Sequence, residues 1–339
     1  MVTRLKAART YSGGAMKQLC LVTLACLLAT IAGALAETYP SKPITFIVPY
    51  AAGGQLDMIT RTLLERMRES LGQTLIIDNV AGAGGSLGTG RAARAAPDGY
   101  TVAMGNWNTH VANGGAIYSL QYDVLRDFEP VARLPYEPVV VFAKKMMAAR
   151  NLSEFIAWLR ANGDTASMGT SGVGAVGHVA GILLQKQTST RFQLVPYRGA
   201  GPAIQDLIAG QIDFVITGPS IALEQMRAGA IKAYAVAAKT RSAVVPDIPT
   251  TDEAGLPGFY IVVWQGAWFP KGTPKDITAK LNAAVRHAMA DPTVRQRFDS
   301  LGLEIPPADQ QTPESLAAFH KAEIEKWWPI IKAASIKAQ

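Results

Sequence analysis

The sequence predicts an α/β protein of two lobes facing each other, each built on a mostly parallel sheet flanked by helices. Three observations carry this reading. Strand-like apolar runs alternate with amphipathic helical patterns along the chain. Two strand, glycine-turn, helix units recur about 120 residues apart, one per half. The chain also has 339 residues, 49% of them hydrophobic and 17% charged, which gives room for about two full cores.

Taken in order, Ile44 to Pro49 reads as a buried strand, and Gly53-Gly54 follows it at a tight turn. Leu56 to Leu71 is then an amphipathic helix, with Ile59, Leu63 and Leu64 on one face and Arg61, Glu65 and Arg68 opposite. Strands follow at Leu75 to Asp78, Tyr100 to Met104 and Val139 to Ala143, before a helix from Ser153 to Ala161. The pattern then repeats. It gives a strand near Ala166 to Met168, a glycine-rich turn, a helix over His178 to Gln187 and a strand at Phe192 to Tyr197. Pro202 to Ala209 reads as a helix, with strands at Asp213 to Ile216 and Ile231 to Ala237. The Pro- and Gly-rich stretch Pro246 to Gly258 and a strand at Tyr260 to Val263 lead back to the first lobe. A long helix over Pro313 to Ile336, bent or interrupted at Pro329, closes the fold. Residues 37–137 with 256–339 form the expected first lobe, and 138–255 the second.

The net charge of +7 is misleading. Arg4, Lys6, Arg9 and Lys17 precede the apolar run Leu19 to Leu35, which ends in Ala34-Leu35-Ala36. That order is a signal peptide over residues 1–36, with cleavage before Glu37 and Met16 as an alternative start. A membrane anchor and a lipid-modified Cys26 are the competing readings. Without those four charges, 29 basic residues face 26 acidic ones with no basic tract, so nucleic acid is not an expected partner. Both cysteines, Cys20 and Cys26, fall inside the segment. The exported chain therefore carries no thiol for catalysis, redox chemistry or metal.

Gly172-Val173-Gly174-Ala175-Val176-Gly177 matches a dinucleotide-binding pattern, but the following strand ends in Pro196-Tyr197-Arg198, with no acid to hold a ribose. No cofactor is expected. Such a turn at a helix N-terminus suits a carboxylate as well as a phosphate. Gly84-Gly85-Ser86-Leu87-Gly88 matches the hydrolase elbow, yet no strand immediately precedes it and no histidine is singled out as its partner. A second glycine-rich anion loop is favoured there over an exported serine hydrolase. His110, His178, His287 and His320 show no metal-ligand spacing, and no metal is expected. Asp57 opens the first helix as a capping acid, fixing the loop before it. Trp107, Trp264 and Trp268 flank strand ends, where they could line a pocket or pack the core.

Several short motifs recur in a characteristic order: Val48-Pro49-Tyr50-Ala51-Ala52-Gly53-Gly54, Gly82-Ala83-Gly84-Gly85, Ala96-Pro97-Asp98-Gly99-Tyr100, Gly169-Thr170-Ser171-Gly172 with His178, and Val195-Pro196-Tyr197-Arg198-Gly199. Glu253-Ala254-Gly255-Leu256-Pro257-Gly258 and the terminal Trp327-Trp328-Pro329 complete the set. Together they resemble the Bug-type receptors, the extracytoplasmic solute-binding proteins of tripartite tricarboxylate transporters. The resemblance implies a two-lobed periplasmic binding-protein fold of type II-like architecture, without catalysis. It also implies a carboxylate held by backbone N–H groups and waters from the loop after the first strand of each lobe. Carried onto this chain, those loops give Ala51, Gly53, Gly54 and Asp57, and Thr170, Gly172, Gly174 and His178. Trp107, Thr109 and Thr217 complete the candidate ligand-binding set.

The sequence departs from the family pattern at several places. Ala81 stands where Pro is frequent, Ala175 and Gly177 where Ser and Pro are frequent, and Trp107-Asn108 where smaller residues are usual. Thr217-Gly218 stands where many members have an Asp and a small polar residue. Losing that acid argues against amino acids, and Trp107 would stack on a flat ligand. The expectation is a monomeric periplasmic receptor for an amine-free mono- or dicarboxylate, aromatic acids included, that serves integral membrane transporter subunits. Sensing through a membrane signalling receptor is the alternative.

Overall fold

Strand β1 (Ile44–Val48) has every residue but Thr45 buried, as expected of an interior parallel strand. The computed structural model describes residues 39–115 and 117–336, so the signal peptide and the choice of start lie outside the described residues. Helix α1 (Gln55–Leu71) follows β1, buries Ile59, Leu63 and Leu64, and ends on Gly72 in the left-handed region, whose N–H returns to the carbonyl of Arg68. The first sheet takes in β2 (Leu75–Asn79), β3 (Thr101–Asn106), β4 (Phe128–Arg133) and β12 (Gln265–Pro270), in the order β2-β1-β3-β12-β4. Helix α2 (Ser86–Ala93) links β2 to β3.

The second sheet holds β6 (Val140–Lys144), β7 (Ser167–Thr170), β8 (Gln193–Pro196), β9 (Phe214–Thr217) and β10 (Ile231–Val236), in the order β10-β6-β9-β7-β8. Its helices are α3 (Leu152–Asn162), α4 (Val176–Thr188), α5 (Ala200–Ala209) and α6 (Pro219–Arg227). Along β6, Val141 and Ala143 enter one core cluster and Val140 and Phe142 another, the period-two alternation of a strand buried on both faces.

Both sheets follow one plan. Four strands point the same way, and the fifth, β12 or β6, runs antiparallel to both neighbours. Each reversed strand arrives from the direction of the other sheet. The sheets are therefore mostly parallel in strand direction, while only half of their pairings are parallel. Two short strands, β5 (Glu137–Pro138) and β11 (Val262–Val263), pair antiparallel where the chain crosses between sheets. The strand expected at Tyr260 to Val263 is thus this two-residue piece, and β12 after it joins the first sheet.

Helices α7 (Lys275–Ala290) and α8 (Pro292–Ser300) pack on α1. Helix α9 (Pro313–Ala333) runs through Pro329 without the expected interruption. Trp327 on one side of the proline and Ile331 on the other are both buried, which holds the two stretches to the same core. No helix among the described residues is long and apolar enough to cross a membrane.

Candidate functional site

The loop after β1 exposes Ala51, Gly53 and Gly54. Gly53 lies at φ +82°, a conformation that side chains rarely adopt. Its N–H donates to Oδ2 of Asp57 at 2.8 Å. The Asp57 carboxylate is only 1% exposed and also accepts from Arg61 at 2.8 and 3.1 Å and from Nδ2 of Asn79 at 3.0 Å. Asn79 in turn donates to the carbonyl of Tyr50 at 3.0 Å, so the loop is pinned on both sides. Burial alone pushes the Asp57 carboxyl up, but its bonds to Arg61, Gly53 and Asn79 outweigh this and hold it below the usual range. Asp57 stands behind the loop and positions it.

The loop after β7 repeats the device. Gly174, at φ +77°, donates its N–H to Nδ1 of His178 at 3.1 Å. An accepting Nδ1 leaves the ring proton on Nε2. Burial draws the imidazole below its usual range, against a backbone hydrogen bond at Gly172 that favours the charged form. Thr170 is buried at the end of β7, its carbonyl accepting from the N–H of Tyr197, and Gly172 lies at φ +133°. Among the described residues, the N–H groups of Ala51, Ala52, Ser171, Gly172 and Val173 have no acceptor. A Cβ on Gly174 would lie 2.8 Å from Cδ1 of Ile117, which comes from the segment after β3. The structure thus brings a loop of the first sheet against the glycine turn of the second.

Two expected residues, Trp107 and Thr109, lie in the core rather than at a ligand loop. Trp107 is 1% exposed and packs edge-on to Trp327 at 5.5 Å between ring centroids. The single π-helical turn Asn108–Ala112 after β3 carries the indole inward, so Trp107 is core and offers no face to a flat ligand. Thr109 is fully buried, with its Oγ1 on the backbone of Asn106 and Nδ1 of His110. Thr217 ends β9 half-buried, and the space beside Gly218 is filled by the Glu137 carboxylate. Glu137 was not legible as a site residue. Its partners Gln55 and Ser220 are 82 and 83 positions away.

Ser86 lies at the start of α2 after a 3-10 turn, not directly after a strand, and donates to the carbonyl of Ala83 at 2.8 Å. Two of the neighbouring glycines are required by close packing. A Cβ on Gly85 would lie 2.6 Å from Cγ2 of Thr109, and one on Gly88 2.6 Å from the carbonyl of Val80. His110 is fully buried and stacks on Trp268 with 3.7 Å between centroids. His320 bonds the His110 carbonyl at 2.6 Å. No group of three or more His, Cys, Asp or Glu able to hold a metal ion occurs among the described residues.

Comparison with known proteins decides the family. The model of the tripartite tricarboxylate transporter family receptor matches residues 59–336. The chain belongs to that family. The receptor is 39% identical over 299 residues, 88% of this chain and 86% of the relative, to a UPF0065 protein from the TAR-I ttuE–ttuC' intergenic region of Agrobacterium vitis. It is 32% identical to Protein BugT of Bordetella pertussis over 303 residues, 89% and 92% of the two chains. Among solved structures it resembles MatC of Rhodopseudomonas palustris with bound malate, at 39% identity and a TM-score of 0.76, covering 86% of this receptor and 100% of MatC. A second R. palustris protein, with adipate, gives 28% identity and a TM-score of 0.78 over 88% and 100%. The receptor therefore has the two-lobed periplasmic binding-protein fold, and its family is one of solute-binding receptors rather than enzymes.

Proposed function

We propose that this receptor, exported to the periplasm and freed of residues 1–36, captures a small amine-free mono- or dicarboxylate and delivers it as a monomer to integral membrane transporter subunits. In this reading the lobes comprise 37–137 with 256–339, and 138–255. The carboxylate meets the free N–H groups beside Ala51 in one loop and Gly172 in the other, in turns that Gly53, Gly54 and Gly174 shape. Asp57 and His178 hold those loops from behind, and Thr170 and Thr217 mark the strand ends beside them.

One observation carries the proposal. Two glycine turns at helix N-termini, each anchored by a side chain four residues on, leave unpaired N–H groups of the kind that recognise anions. Malate in MatC and adipate in the second R. palustris protein support a dicarboxylate. Burial of Trp107 removes the argument for an aromatic acid. The Glu137 carboxylate is 1% exposed and already engaged, so it offers nothing to a ligand ammonium group.

The test is thermal unfolding of protein lacking residues 1–36 with malate, succinate, adipate, benzoate and aspartate. A ligand at about 100 times its dissociation constant adds about 2.7 kcal/mol of stability. Shifts with malate, succinate or adipate and none with aspartate are expected. Equal stabilisation by aspartate overturns the amine-free assignment, and no shift with any acid overturns the carboxylate reading.

A further inference from the structure

Glu137 sits in β5, where the chain crosses from the first sheet to the second. Its backbone is fixed, because β5 pairs with β11 and the preceding Tyr136 pairs with Glu304. Its carboxylate is almost completely buried, yet among the described residues no basic side chain bonds it. Instead it takes three neutral donors from both sides of the crossing. Oε2 accepts the N–H of Ser220 at 3.0 Å, and Oε1 accepts the Ser220 hydroxyl at 2.9 Å and Nε2 of Gln55.

These partners are not equivalent. Ser220 lies in the first turn of α6, which follows β9 of the second sheet. Gln55 is the first residue of α1 and immediately follows the exposed Gly53-Gly54 turn. The Gln55 amide has no freedom to flip. Its Nε2 faces Glu137, while its Oε1 accepts Nε2 of the fully buried Gln265 at 2.8 Å. The chain Gln265, Gln55, Glu137, Ser220 therefore runs from β12 through the base of the first ligand loop to the second sheet. Gly218 leaves the room this requires, since any Cβ there would meet the Glu137 carboxylate.

We propose that Glu137 is a positioning residue that joins the Gln55 end of the first carboxylate loop to the Ser220 end of α6, so that loop placement and lobe closure are one equilibrium. A ligand that settles on the first loop would then also favour the lobe arrangement seen here. The role of the first loop rests on the function proposed above, but the closure it predicts does not need a ligand.

The test uses protein lacking residues 1–36, which has no other cysteine, with spin labels at Glu69→Cys and Lys186→Cys, both on exposed helix positions of opposite lobes. Distances between the labels are measured without ligand, and malate affinity by calorimetry. Glu137→Gln places an amide N–H against either Gln55 or Ser220. It is expected to deplete the distance of the present structure and to weaken malate by about tenfold. The exchange Gln55→Glu with Glu137→Gln restores an alternating set of donors and acceptors. It is expected to recover the distance distribution, and affinity to within about threefold. Simple loss of packing would not be rescued in this way. Ser220→Ala, which removes one donor and leaves the backbone bond, serves if Glu137→Gln does not fold, with a smaller shift in the same direction. An unchanged ligand-free distribution in both single variants, or an exchange no better than Glu137→Gln alone, overturns the proposal. Absence of malate binding in the unsubstituted protein bears only on the ligand.

Discussion

The backbone N–H of Gly174 donates to Nδ1 of His178 at 3.1 Å, and four residues separate them, as four separate Gly53 from Asp57. One loop is thus tied by a neutral base and the other by an ionised acid. Removing the His178 acceptor strands the buried N–H of Gly174, which costs about 1–3 kcal/mol, whereas the exposed N–H of Gly53 can turn to water once Asp57 is gone. His178→Ala and Asp57→Ala are each expected to lower the melting temperature and weaken malate. Asp57→Ala has the larger effect, because it also frees Asn79 and Arg61. Equal malate affinity in both variants, measured by calorimetry, would remove the loops from the site.

Acid should act on His178 before Asp57. Protonating Nδ1 replaces the acceptor of the Gly174 N–H with a second donor. His178 titrates below its usual value in the folded protein, so the unfolded chain takes up its proton first as pH falls. Its contribution is complete above about pH 6.5 and is lost as pH falls through the folded value. Malate affinity is expected to decline over the same acidic range. His178→Gln, whose amide oxygen accepts without titrating, is expected to flatten that decline in a pH series of calorimetric titrations.

The buried pair His110 and His320 gives a separate effect on stability. Burial holds His320 down at about 4, and His110 well below 6.5, by desolvation and by the neighbouring His320. Both are neutral in the native core. Stability is therefore full above about pH 6.5 and falls toward pH 4, with His320 alone accounting for about 3 kcal/mol. Denaturant unfolding at pH 7 and pH 4.5 checks the sign. His320→Gln should narrow the difference between the two.

Trp107→Ala removes an indole packed against Trp327 in the core, and about 3–5 kcal/mol of stability is expected to go with it. Trp107→Phe should retain most of the stability and leave malate affinity unchanged. A selective loss of ligand affinity in the Phe variant, at unchanged melting temperature, would place the ring at the ligand instead.

Gly88→Ala sets a Cβ 2.6 Å from the carbonyl of Val80 and 2.9 Å from Cα of Pro49, two backbone atoms with no easy retreat. A cost of about 1–3 kcal/mol in denaturant unfolding is expected. Ser86→Ala, two residues earlier and half-buried, should leave stability and malate affinity nearly intact. Ester turnover that disappears in Ser86→Ala would revive the hydrolase reading.

The alternation of strands and helices and both glycine turns were legible because each is written in neighbouring residues. Ile44 to Val48 reads as a buried strand, and Gly53 and Gly174 occupy the positive-φ positions a tight turn requires. What escaped was set by distance along the chain or by mixed local signals. Strand β12 begins Gln265-Gly266 and β4 contains Pro130, so neither shows a clean apolar run, yet β12 is buried between β3 and β4, and the edge strand β4 is covered by β12 and by helices α7 and α9. Helix α6 opens on Pro219 after Gly218 and reads as a turn. Trp107 was placed at a strand end correctly, but one following turn of helix decides which way the ring faces. Glu137 looks like any loop acid until the fold delivers Gln55 and Ser220 to it.

The reversed strand in each sheet has a consequence for how the chain comes to its final form. In the first sheet β12 lies between β3 and β4, so their facing edges stay open until residues 265–270 arrive. Nearly four-fifths of the sequence must therefore be present before that sheet can close. The two lobes cannot be parted by a single cut, and an N-terminal fragment ending between β4 and β12 would carry the facing edges of β3 and β4 unpaired into solution. Completion of the first lobe is a late event of high contact order, which leaves the polypeptide open and threadable for most of its synthesis.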